Sequence, residues 1–158
     1  MTAAVREVLT FDLEGEILAV DAREVREILD LAPVTRVPGA RRFVDGLINV
    51  RGQIVPLADL RLKFGMATPP PTIDTRIVVV ETRVDGEATA VGLLADRVRE
   101  VAELAPEAIA STPDIGLRLR SEYLRGIGKR GGDLILLIDL ENILASTGAR
   151  PGRTPEEA

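Results

Sequence analysis

The chain has no cysteine, no histidine and no tryptophan, and only three phenylalanines and one tyrosine in 158 residues. Without cysteine there are no disulfides, no thiolate catalysis and no thiolate-held metals. Without histidine the commonest general base and transition-metal ligand are gone. Scarce aromatics leave few platforms for stacking single-stranded nucleic acid, and a net charge of -5 denies a phosphate backbone the clustered cations it needs. No apolar run approaches the roughly 20 residues that span a bilayer. The opening stretch "MTAAVREVLTF" has no apolar export signal. The expected location is therefore the cytoplasm and the expected partner another protein, with no cofactor, metal, nucleic acid or membrane insertion.

What the chain does have is repetition. "FVDGLINVRGQIVPLADLRLKF" from Phe43 aligns without gaps on "YLRGIGKRGGDLILLIDLENIL" from Tyr123, so that Gly46 meets Gly126, Gly52 meets Gly132 and Asp59 meets Asp139. Upstream, Val25-Arg26-Glu27 meets Val98-Arg99-Glu100 at a shorter spacing, which implies a longer loop in the second copy. Two copies are too few for a solenoid and point to a pseudo-symmetric pair.

Local rules then place elements in each copy. Leu9, Phe11 and Leu13 alternate with polar residues up to a Gly15 turn, and Asp85-Gly86 separates two further apolar runs, so each copy opens with a β-hairpin. A short helix is expected after each hairpin. Asp21 caps the first, with Glu24 completing a capping box, and Asp96 caps the second. Runs such as Leu134 to Ile138, apolar on both faces, read as buried strands, and Pro56 is expected at an edge or bulge. "ATPPPT", residues 67–72, is a stiff connection, and residues 146–158 read as a flexible tail. The expected architecture is all-β with short helices: two small barrels, approximately 9–67 and 73–145.

Asp59 and Asp139 occupy equivalent places, which suits helix or turn capping in each copy; a catalytic dyad has no reason to be split one acid per copy. "GKRGGD", residues 128–133, lacks the spacing of a P-loop and reads as a hairpin turn. No catalytic residue is assigned and the chain is expected not to be an enzyme. A small carboxylate hydrolase or a nucleic-acid-binding barrel is the contrasting class. Arg36, Arg41 and Arg42 form a local basic run, read as a solvated loop or a docking patch.

"VREIL" at 25–29, "VPGARRFVDGLINVRGQIVPLADLRLKFG" at 37–65 and "EYLRGIGKRGGDLILLIDLENIL" at 122–144 resemble the CheW family, the adaptors of bacterial chemotaxis. The resemblance runs from about Leu9 to Leu144. It implies a single CheW-like domain of two pseudo-symmetric five-stranded SH3-like β-barrels side by side. It also implies an adaptor that couples the cytoplasmic tips of methyl-accepting chemoreceptors to the regulatory domain of the histidine kinase CheA, in membrane-associated arrays. The same fold in a pathway for surface motility or development is the alternative. Carried onto this chain, the receptor-binding positions are Val25, Glu27, Ile28, Gly46 and Arg51, while kinase-binding residues stay unassigned. The residues alone read Arg51 as an exposed ion pair at a tight turn; the resemblance gives it a docking role, for which its planar fork suits a carboxylate or a carbonyl. The second copy has Gly131 at that position, so the arginine looks foreign to the duplicated scaffold.

Overall fold

The computed structural model describes residues 6–36, 44–104, 109–110 and 121–145. Strands β1 (Arg6–Leu13) and β2 (Glu16–Asp21) form the first hairpin, followed by β3 (Val25–Asp30), β4 (Val44–Val50), β5 (Gln53–Ala58) and the one-turn helix α1 (Leu60–Phe64). The second copy repeats this order: β6 (Arg76–Val84), β7 (Glu87–Ala95), β8 (Arg97–Leu104), the short β9 (Ile109–Ala110), β10 (Leu124–Arg130), β11 (Asp133–Ile138) and α2 (Leu140–Ala145).

The strands form two sheets, β3-β6-β7-β5-β4 and β8-β1-β2-β11-β10-β9. The first closes where Thr35, beyond β3, exchanges both backbone hydrogen bonds with Leu47 on β4, at 2.9 and 2.8 Å. In the second, β9 follows β8 and pairs with β10 at the equivalent place. The expected pair of small barrels is thus present, but its boundaries are corrected. One barrel is the contiguous stretch Val25–Ala95, and the other is a composite of β1 and β2 with β8 to β11. Segments 9–67 and 73–145 do not each close on themselves, because the opening hairpin of each copy joins the strands of the other copy through a parallel pair. These pairs are Leu136 beside Leu18 and Leu57 beside Gly92.

This exchange explains the apolar runs. Along β1, β2, β6 and β11 successive side chains alternate between a barrel interior and the layer between the barrels. On β6, Ile77 and Val79 fill the contiguous barrel while Val78 and Val80 face the shared layer. On β11, Ile135 and Leu137 fill the composite barrel while Leu136 and Ile138 face that same layer. Leu60 of α1 and Leu140, Ile143 and Leu144 of α2 complete the shared layer. Pro56 sits opposite Leu47, just ahead of the two-residue pairing of β5 with β7, whereas its counterpart Leu136 is paired within β11 and β2. Its missing N–H therefore coincides with a shortened ladder.

The helices expected after the hairpins are corrected too. After β2 there is only a 3-10 turn, Ala22–Glu24, capped by the Asp21 carboxylate, which accepts from Arg23 N at 2.9 Å. After β7 the chain passes through Asp96 directly into β8. Asp96 does not cap; its carboxylate accepts from Glu14 N at 2.7 Å. Asp59 and Asp139 do cap α1 and α2, accepting from Arg61 N and Asn142 N. "GKRGGD" is a hairpin turn, with Gly131 and Gly132 at φ 58° and 88°. The longer loop expected in the second copy, Arg41 and Arg42 of the basic run, and the 146–158 tail lie outside the described residues.

Glu24 does not complete a capping box. Its carboxylate accepts from the hydroxyl of buried Thr82 on β6, at 3.1 Å. Burial raises its pKa above the usual 4.5, only partly opposed by the Thr82 hydroxyl and Arg125, and assisted by Asp21 and Asp139. A carboxyl with a raised native pKa contributes most to stability below its unfolded value and loses that contribution as pH rises through the native one. Glu24→Gln keeps an acceptor for Thr82 without the buried charge. Urea titrations at several pH values are expected to show the variant more stable than wild type at pH 7, with the difference shrinking as pH falls below 4.5.

Candidate functional site

The exposed charged groups sit at turns, at strand ends and along β3 and β8, because β1, β2, β6 and β11 spend both faces on the two interiors and the shared layer. On β3 a bulge inserts Arg26 between Val25, which opposes Val80, and Glu27, which opposes Val79. Since Val80 faces the shared layer and Val79 the barrel interior, the bulge turns Val25 and Glu27 to opposite faces. Val25 packs, half-buried, against the shared layer. Ile28 opposes Val78 on that same face, but beyond the layer's edge, where it is 43% exposed. Both lie on β3 and not on the short helix expected after the first hairpin.

Glu27 meets Arg51. The Arg51 guanidinium donates to a Glu27 Oε1 at 3.0 Å, with the arginine side chain 81% exposed. Arg51 and Gly52 form the two-residue turn between β4 and β5, with φ 53° and 86°, and Asn49 Oδ1 accepts from Gly52 N. Positive φ at both central residues matches the right-handed twist of a hairpin, yet for arginine it costs energy that glycine avoids. The second copy has glycine at both places.

Gly46 is buried at a second bulge, opposite Leu57. A Cβ there would stand 2.4 Å from the Thr35 carbonyl oxygen and 2.6 Å from Val34 Cγ1, so its glycine is dictated by the bridge that closes the barrel. The five sequence-assigned positions therefore divide. Val25 and Ile28 share the face toward the second barrel, Glu27 and Arg51 form one ion pair at the barrel mouth, and Gly46 underlies the closure.

The sequence reading missed one pair. Arg130 Nε lies 3.5 Å from Glu100 Oε2 in the composite barrel, and Glu100 is the repeat counterpart of Glu27. The arginine comes from the residue just before the turn instead of from within it, a shift of one position that hides the equivalence. Gly131 opposite Arg51 therefore does not make the ion pair foreign to the duplicated scaffold; what is particular to the first copy is an arginine held at positive φ. Beside Arg130 and Glu100, Thr10, Ile17, Arg99 and Ile135 line a recess of about 360 Å³. Thr10 Oγ1 there donates to the Glu100 carbonyl across the β1–β8 bulge.

Residues 7–148 match the CheW-like domain. The chain belongs to this family. It is 35% identical to the chemotaxis protein CheW of Klebsiella aerogenes over 141 residues, covering 89% of this chain and 82% of that one. It is 31% identical to the chemotaxis protein CheW of Rhizobium meliloti over 146 residues, 92% of both. Among solved structures it superposes on the scaffolding protein TtCheW from Thermoanaerobacter tengcongensis with a TM-score of 0.78 and 28% identity, covering 89% of this chain and 88% of that one. The fold of this family and the mainly-β architecture seen here agree.

Two substitutions separate the scaffold from the exposed pair. Gly46→Ala is expected to cost about 1–3 kcal/mol or more through overpacking against the Thr35 backbone. Arg51→Gly, which relieves positive φ and removes an exposed ion pair, is expected to stay within about 1 kcal/mol of wild type. Denaturant midpoints of the two variants measured side by side check both.

Proposed function

We propose that this chain is a non-catalytic adaptor of chemotaxis signalling that couples the cytoplasmic tips of chemoreceptors to a CheA-type histidine kinase, recruited to membrane-associated receptor arrays. Family membership over residues 7–148 carries the reading. The site geometry supports it. The Glu27–Arg51 pair offers a partner a charged group at one barrel mouth, and Ile28, next to Glu27 in β3 but on the opposite strand face, offers a separate apolar contact. In this reading Val25 and Gly46 act from behind the surface, Val25 by packing β3 against the shared layer and Gly46 by permitting barrel closure. Two small barrels in one chain give separate surfaces, so one adaptor bridges two partners without a catalytic step.

Arg51→Glu places like charges at the barrel mouth. It is expected to weaken binding to a purified receptor-tip fragment by at least about tenfold, or 1.4 kcal/mol, while leaving binding to the kinase regulatory domain and the circular dichroism spectrum unchanged. Equal loss of both partners by a folded variant would remove Arg51 from the receptor surface. Absence of both interactions in the wild-type protein at micromolar concentration would sink the adaptor reading itself.

A further inference from the structure

Arg61 is a buried arginine, its side chain 7% exposed, and the adaptor reading does not use it. It forms a fork with Asp59, Nε to Oδ1 and NH2 to Oδ2, both at 2.9 Å, and NH1 donates to the Pro69 carbonyl at 3.2 Å. NH1 also stands 3.7 Å from Asp96 Oδ1. Hydrogen bonding to Asp59 is the largest influence raising its pKa against desolvation, and the charges of Asp59, Asp96 and Glu14 act the same way. The charge is permanent and its surroundings are arranged for it.

The second copy acts as an internal control. Asp139 caps α2 there through Asn142 N, and the position equivalent to Arg61 is the exposed Glu141. A duplicated helix cap therefore works without a buried guanidinium, and burying one is costly unless it is fully paired. Arg61 must answer to something that differs between the copies.

Beyond its own cap, Arg61 reaches Asp96. Asp96 occupies the crossover from the contiguous to the composite barrel. Its Oδ2 accepts from Glu14 N at 2.7 Å and its own N–H donates to the Asp12 carbonyl at 3.0 Å, so it holds the end of β1 and the start of the β1–β2 turn. Contacts thus run from α1 and the Pro69 strap of the contiguous barrel, through Arg61 and Asp96, to the opening hairpin of the composite barrel. The apolar layer between the barrels attracts without direction, whereas the Asp59 fork holds the Arg61 guanidinium in one orientation, so that its charge meets Asp96 at one place. We infer that the Arg61–Asp96 bridge fixes the angle between the two barrels. Arg61 is in this sense a positioning residue for the pair of barrels.

The chain has no cysteine, so two introduced thiols are the only labelling sites. Glu87→Cys at the start of β7 and Glu103→Cys on β8 place one exposed spin label on each barrel. Their distance distribution, by double electron–electron resonance, is measured in the full chain with and without Asp96→Ala, and again with Arg61→Met. A distribution that broadens or shifts in a variant whose circular dichroism matches wild type supports the inference. A folded Asp96→Ala protein with an unchanged distribution overturns it, even if its melting temperature falls, because a merely stabilising contact moves the melt and not the angle. Should Arg61→Met fail to fold, Asp96→Ala, which leaves the Asp59–Arg61 fork in place, decides alone.

Discussion

The layer shared between the barrels is the constraint on which the rest of this molecule depends. Strands that serve a barrel interior on one face and this layer on the other have no face left for function. Polar and charged groups are displaced to turns, bulges, crossovers and the exposed residues of β3 and β8. Burying both faces also explains why an antiparallel hairpin, which usually shows one polar side, appears here as a nearly continuous apolar run. The exchange of hairpins enlarges the layer, because each copy contributes strands to both of its sides.

The duplication lets one half of the chain test the other. Hairpin turns with positive φ occur at Arg51-Gly52 and at Gly131-Gly132, and helix caps occur at Asp59 and Asp139, so both belong to the scaffold. The acid on β3 and its counterpart on β8 each hold an arginine from the facing hairpin. An ion pair at the barrel mouth is thus scaffold, and only the strained backbone of Arg51 and the burial of Arg61 are particular to one copy. Those two arginines differ in setting: one is four-fifths exposed and paired with Glu27, the other is buried against Asp59, Asp96 and the Pro69 carbonyl.

Much of the fold was legible because its signals are local. Asp85-Gly86 and the alternation around Phe11 announce hairpins, Asp59 announces a cap, and the gapless alignment of Phe43 with Tyr123 announces the duplication. The error at "VREIL" has a definite physical origin. A β-bulge at Arg26 converts the two-residue spacing of a strand face into a spacing of three, so Val25 and Ile28 share a face as they would on a helix. Arg130 went unread because an ion pair across a turn tolerates a shift of one residue, while an alignment does not.

By itself the sequence determined the family, the all-β class and the twofold repetition, since each depends on neighbours in the chain or on residue types. Which strands join which barrel was decided by tertiary structure alone. An apolar strand looks the same whether it pairs with its own copy or the other, and the parallel contacts of β2 with β11 and of β5 with β7 join residues far apart in the chain. The Arg61–Asp96–Glu14 chain exists only once that choice is made, because the exchange of hairpins is what carries those residues to one crossover.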